Sequence, residues 1–436
     1  MKYLLKVSLL LVGVILCDSA FSQEREDPDA VSSATRKKEE ITERKLQIGG
    51  YGEIALQRMF YSDNVARYTY PATYKDGKHG RFDLPHVVIN LSYNFGKGWK
   101  FNTEIEFEHG GTGTTCEIEN AETGEYETEI EKGGEVALEQ FWLEKTFSQA
   151  FNLRMGHIIV PIGLTNQYHL PVEFFSVLRP EEESAILPCT WHETGFSIWG
   201  KTGKWRYETQ FLAGLDAERF NNAGWISGGS VSPYEFKIAN SYAGAVRIDN
   251  YSVPGLRMGV SGYYGYSANN TLKSERYENQ NLKGAVIIGT FDAVYNANNI
   301  IARTNVLFGH LNDSEKISTI NKKLPSASPS PRTEIGSEAL SYYVEAGYDL
   351  LSFFPQTKEE KLYVYAHYGY YNSMHSTQGK IQPKTWCEKT IISGGINYFP
   401  MKEIVIKGEY SFRKIDVPYN NEPTISLGIA YSGFFL

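Results

Sequence analysis

The chain has 436 residues with a formal charge of −8, which becomes −9 once Lys2, Lys6 and Asp18 leave with an N-terminal leader. Net acidity argues against nucleic acid as a partner. Aromatic residues make up 14%, with 30 Tyr and 40 Gly, a composition that suits many short strands better than a helical enzyme. Mean hydropathy is −0.36, and beyond the leader no apolar run approaches the ~20 residues of a spanning helix.

Lys2 and Lys6 precede an apolar run from Val7 to Leu16, and Ala20-Phe21-Ser22 forms a small-x-small cleavage site. Residues 1–22 therefore read as a signal peptide. Cys17 offers a lipidation site, but the bulky Leu16 before it is a poor cleavage position. Residues 23–45 are charged, and Glu24 to Lys45 lacks aromatics. They read either as a flexible periplasmic lead-in or, from Ala34 onward, as helix packed against sister chains.

From residue 46 to 436, sixteen stretches alternate apolar with polar residues, near the ~9–11 residues of a tilted membrane strand. They run over 46–60, 83–95, 99–109, 135–146, 151–159, 191–200, 204–215, 240–250, 255–266, 284–297, 299–310, 340–351, 361–372, 387–398, 402–413 and 423–436. The gaps between them alternate short and long, with Ser352 to Glu360 longer than the rhythm requires. Two different gap lengths imply two different environments at the strand ends. The expected fold is all-β: a transmembrane antiparallel barrel in a bacterial outer membrane, with short periplasmic turns and long extracellular loops.

Individual strands bear this out in their patterning. In the last, Ile425, Leu427, Ile429 and Tyr431 share one face, and Thr424, Ser426 and Ala430 the other. Aromatics bracket the short turns at Phe95 and Trp99, Phe147 and Phe151, and Trp205 and Tyr207. That is the placement of a headgroup-level girdle. The chain closes on Tyr431-Ser432-Gly433-Phe434-Phe435-Leu436, which resembles the aromatic final strand read by outer-membrane assembly machinery, with Leu as a departure.

About sixteen strands leave an aqueous lumen. The third long gap, 158–190, is the candidate inward-folded constriction. It is stiffened by Pro161, Pro171, Pro180 and Pro188 and carries Tyr168, His169 and Arg179. Packing over the mouth without narrowing it is the alternative. Taking the polar faces as lumenal, the inward basic residues are Lys100, Arg154, Arg206, Arg247, Arg257, Arg303 and, on a later strand, Lys407. The first six lie within ~13 Å of the periplasmic mouth at strand rise and tilt. Glu104, Glu106 and Glu108 climb toward the outside instead. The basic set predicts either an anion-attracting vestibule or ordinary pairing with Glu208, Asp249, Glu345 and Asp349.

No cofactor is implied. Cys116, Cys189 and Cys387 show neither CxxC spacing nor a His partner, which argues against zinc; a disulfide between two of them stays open. The Glu-rich stretch 117–135 lacks the spacing of a calcium loop. An outer-membrane hydrolase would need a Ser–His pair, yet His367 lies inward with Tyr363 and Tyr365 and no serine neighbour. A surface adhesin using its long loops is the other rival. The expectation is passive diffusion of small hydrophilic solutes or anions, with membrane lipid as the surrounding partner.

Within this pattern, Arg154-Met155-Gly156-His157, Val160-Pro161-Ile162-Gly163, Pro171-Val172-Glu173, Arg179-Pro180 and Trp191-His192-Glu193-Thr194-Gly195 resemble the phosphate-selective porin O and P family. The match covers about a tenth of the chain and departs at His157 and Ile162. It implies that the stretch is the fifth strand, the inward third loop and the start of the sixth strand. It also implies a homotrimeric sixteen-stranded porin, some members of which carry anion-binding arginine ladders. Outside this stretch those arginines have no residue-by-residue counterpart.

Overall fold

A computed structural model describes residues 45–63, 66–71, 77–109, 116–120, 126–130, 135–230, 238–271, 274–278, 281–324, 330–354 and 359–436. The expected signal peptide and the charged segment up to residue 44 lie outside the described residues, as do the side chains of 110–135.

The strands are β1 (Leu46–Met59), β2 (His79–Asp83), β3 (His86–Gly96), β4 (Trp99–Glu108), β5 (Cys116–Asn120) and β6 (Tyr126–Ile130). Next come β7 (Glu135–Ser148), β8 (Phe151–Ile159), β9 (His192–Thr202), β10 (Trp205–Ala213), β11 (Tyr242–Asn250) and β12 (Leu256–Tyr266). The remainder are β13 (Ala285–Ala297), β14 (Ile300–Leu311), β15 (Glu338–Asp349), β16 (Lys361–Ser376), β17 (Glu388–Met401), β18 (Ile404–Lys414) and β19 (Glu422–Phe434).

Sixteen of these pair antiparallel with their neighbours and close into a ring; β2 lengthens the wall beside β1, and β5–β6 is a separate hairpin. Closure joins the chain ends. β1 pairs with β19 from Gly49↔Phe434 to Met59↔Thr424, and with β3 from Leu46↔Tyr93 to Gly52↔Val87. A closed ring satisfies every ladder N–H and C=O, the condition for crossing hydrocarbon with strands.

Burial alternates along each wall strand as the sequence pattern requires. On β11, Val246 and Ile248 are about half exposed to the outside, whereas Arg247 and Asp249 are buried inside. On β19, Ile425, Leu427 and Ile429 face out while Thr424, Ser426 and Ala430 face in. The apolar set faces outward, the reverse of a soluble sandwich. At the short-turn ends, Phe95, Trp99, Phe147, Phe151 and Trp205 stay exposed as a lower girdle.

The upper lumen is not empty. The described parts of the loops between β10 and β11, β12 and β13, and β14 and β15 fold over the β9–β17 side, where Phe220, Trp225, Tyr277, Ile317 and Ile335 join Ile158, Ile162 and Trp191 in one buried apolar cluster. This interior packing makes the barrel lopsided: one part of its mouth is a protein core, and the polar space lies beside it.

Candidate functional site

Loop 160–191 leaves β8 and runs through the barrel interior to the far wall. Lys407 on β18 donates to the carbonyl oxygens of Phe174 (2.9 Å) and Ser176 (2.8 Å), and the Val177 N–H donates to Glu409 (2.9 Å). The Phe175 ring stacks on Tyr365 with centroids 5.0 Å apart. Glu182 pairs with His367 at 2.8 Å, and Glu181 with Arg413. Two wall glycines allow this approach, since a Cβ on Gly347 would collide with Phe175 and one on Gly369 with the Glu182 carboxylate.

The loop also holds itself together. Glu183 accepts the backbone N–H groups of Leu164 (2.8 Å), Thr165 (3.0 Å) and Asn166 (2.8 Å), and the side chain of Asn305 on β14 (2.6 Å). Burial pushes the Glu183 carboxyl up to about 7 against the pull of those backbone donors. Of the loop residues singled out from sequence, Tyr168 lies under the Arg257 guanidinium at 4.7 Å. His169 meets the Tyr51 ring edge-on at 5.8 Å. Arg179 donates to Cys189 Sγ (2.6 Å) and Thr190 Oγ1 (2.9 Å).

Six of the seven inward basic residues are engaged by protein groups. Arg154 pairs with Glu144 at 2.8 Å and covers the Trp142 ring. Lys100 stands across from the same Glu144 in register. Arg206 pairs with Glu208 at 2.6 Å, and Arg303 with Glu345 at 2.7 Å. Arg247 and Arg257 interlock with Asp249 and Asp292 over contacts of 2.6–3.0 Å. Lys407 holds the loop carbonyls described above. Glu208, Asp249 and Glu345 are thus arginine partners, while Asp349 pairs with Lys361 at 2.9 Å. Asp292 completes the buried quartet and was not legible as a partner, because β11, β12 and β13 bring it there only through register.

A second group gathers where β1, β3, β4 and β7 face the loop. Glu53, Glu106 and Glu139 are buried there beside Tyr51, and His86 pairs with Glu106. Glu139 owes its place to a β-bulge. Glu104 pairs with Gln140 and Ile105 with Leu138, so Glu139 is the extra residue. Leu138 and Phe141 face out, and both intervening residues turn inward. The one sequence signal was two polar residues between two apolar ones, Leu138-Glu139-Gln140-Phe141.

Between loop residues 176–182 and the wall of β17, β18, β19 and β1 lies a cavity of about 400 Å³. Arg179, Glu181, Glu182, Arg413 and Glu422 line it with Ser393, Ser411 and Ser426. His367 also borders it, but its ring nitrogens face Glu182 (2.8 Å) and Glu345 (3.3 Å), so neither is available to activate a hydroxyl. Cys189 and Cys387 are unbonded thiols, whereas the Cys116 side chain and the Glu-rich stretch fall outside the described side chains.

Two solved porins are similar to this chain in fold. The anion-selective porin from Comamonas acidovorans is 10% identical with a TM-score of 0.50, the match covering 89% of this chain and 99% of that one. Salmonella typhi OmpF, in complex with daunomycin, is 11% identical with a TM-score of 0.51, covering 89% and 97%. At such identity the likeness is one of fold. An uncharacterized protein of Aquifex aeolicus (strain VF5) is 26% identical over 372 residues, 84% of this chain and 75% of that protein. No family model matches. A closed sixteen-strand ring, an outward apolar belt and the porin fold make this chain an integral β-barrel protein of a bacterial outer membrane.

Proposed function

We propose that the barrel is a passive diffusion channel for small hydrophilic solutes, narrowed by loop 160–191. The observation that carries this reading is the polar cavity between that loop and the β17–β1 wall, inside a ring closed to lipid. Diffusion through it needs no covalent step and no cofactor; its rate follows the width and charge of the passage. Acidic and basic side chains are interleaved along the cavity, and the deeper arginines are paired, so the field along the path is weak.

Anion preference is the second reading. It is supported by Arg179, whose Nε and Nη2 atoms lack hydrogen-bond partners, and by the stretch 154–195 that resembles the phosphate-selective family. The Comamonas neighbour is itself described as anion-selective. The trimer implied by the family resemblance belongs to the same proposal.

Purified full-length barrel in planar bilayers is expected to give stepwise conductance, grouped in threes, with a reversal potential near zero in a potassium chloride gradient. A reversal potential on the chloride side that Arg179→Ala removes would establish the anion reading in place of weak selectivity. Absence of any steps from correctly folded protein would overturn the channel itself.

A further inference from the structure

Glu104, Glu139 and His169 converge where β4, β7 and the inward loop meet, and one candidate ligand atom from each lies within 4.8 Å of the others. Two carboxylates near an imidazole are common on protein surfaces and by themselves mean little. Here the group is interior, and one nitrogen of His169 and one oxygen of Glu139 lack hydrogen-bond partners. His169 is 8% exposed, and its Nδ1 lies 3.3 Å from the Asn166 carbonyl oxygen. Its Nε2 is buried without a hydrogen-bond partner.

An imidazole whose Nδ1–H is fixed by a backbone carbonyl presents the Nε2 lone pair, the tautomer used in metal ligation. Glu139 is 1% exposed; one carboxylate oxygen accepts the Tyr51 hydroxyl at 3.1 Å, and the other has no hydrogen-bond partner. Glu104 is aimed by Asn90 at 2.8 Å and by Gln140, the outer-shell support that ligating carboxylates ordinarily carry. The bulge that turns Glu139 inward is the backbone feature that completes the set.

We propose that Glu104, Glu139 and His169 form a binding site for a divalent first-row transition ion. The nitrogen and two carboxylates suit Zn²⁺, with water or a further side chain completing four ligands. They fall short of the 6–8 oxygen ligands that calcium takes. Glu106 adds to the attraction and Arg179 opposes it, and Tyr51, His86 and His192 are the other titratable rings near His169. A bound ion would tie the loop to the β4–β7 wall, in addition to its anchors on β16 and β18.

The test is Zn²⁺ titration calorimetry on chelator-washed, full-length barrel in detergent micelles. It needs no conduction and is therefore independent of the channel reading. One Zn²⁺ per chain is expected, with His169→Ala and Glu139→Gln each weakening binding by at least about tenfold. The exposed His310→Ala is expected to bind as the wild type does, and equimolar Mg²⁺ not to displace the ion. No binding by wild type would overturn the proposal. So would equal binding by the His169 and Glu139 variants, or ready displacement by Mg²⁺, which would mark a bare acidic cluster. Retained heat-shifted gel mobility shows that a variant is folded; His169→Gln replaces any His169→Ala protein that lacks it.

Discussion

The Arg257 side chain is fully buried, 2.9 Å from Asp249 and 2.6 Å from Asp292, with Arg247 bridging the same two carboxylates. Four charges cancel, and none is available to a passing ion. Removing one guanidinium leaves a carboxylate short of compensation in a dry setting. Arg257→Ala is therefore expected to cost about 3 kcal/mol, read as a lower denaturant midpoint of the detergent-solubilised barrel. Arg257→Ala with Asp292→Ala is expected to recover most of that loss, because the orphaned charge leaves with its partner. A single substitution costing less than about 0.5 kcal/mol would show the quartet to be energetically idle. The same residues mark a limit of sequence reasoning. Alternation placed Arg247 and Arg257 inside, but their partners depend on pairing across three strands.

At the scale of one element, loop 160–191 is built around Glu183, which gathers three successive backbone N–H groups of its own loop and reaches Asn305 on the wall. Its carboxyl is raised from 4.5 to about 7 by burial. A carboxyl raised on folding holds its proton more tightly folded than unfolded. Its contribution is complete below 4.5 and is lost as pH climbs through 7. The temperature at which the barrel loses its heat-shifted mobility is thus expected to fall between pH 4.5 and 7, and Glu183→Gln to flatten that slope. An identical slope in the variant would place the titration elsewhere. The strands themselves were readable, since β8 occupies 151–159 both in the residue pattern and in the fold. The Glu139 bulge broke that period, and the β5–β6 hairpin within a long gap carried no comparable signal.

For the molecule as a whole, stability rests on closure, and closure rests on a single seam between β1 and β19. Residues from Gly49 to Met59 pair on one edge with the final strand while their other edge meets β3 and β2, and the Ile48 N–H reaches the Leu436 carbonyl at 3.2 Å. A chain ending before Glu422 would leave β1 and β18 with open edges in hydrocarbon. Such a truncation is expected to give no heat-shifted band and no protease-resistant core in vesicles; a resistant, shifted product would refute the seam's importance. The seam also imposes an order of events. Until β19 docks, one edge of β1 and one edge of β18 stay unpaired. An intermediate that lacks this last docking presents two open ladders to sister chains and must be kept apart from them.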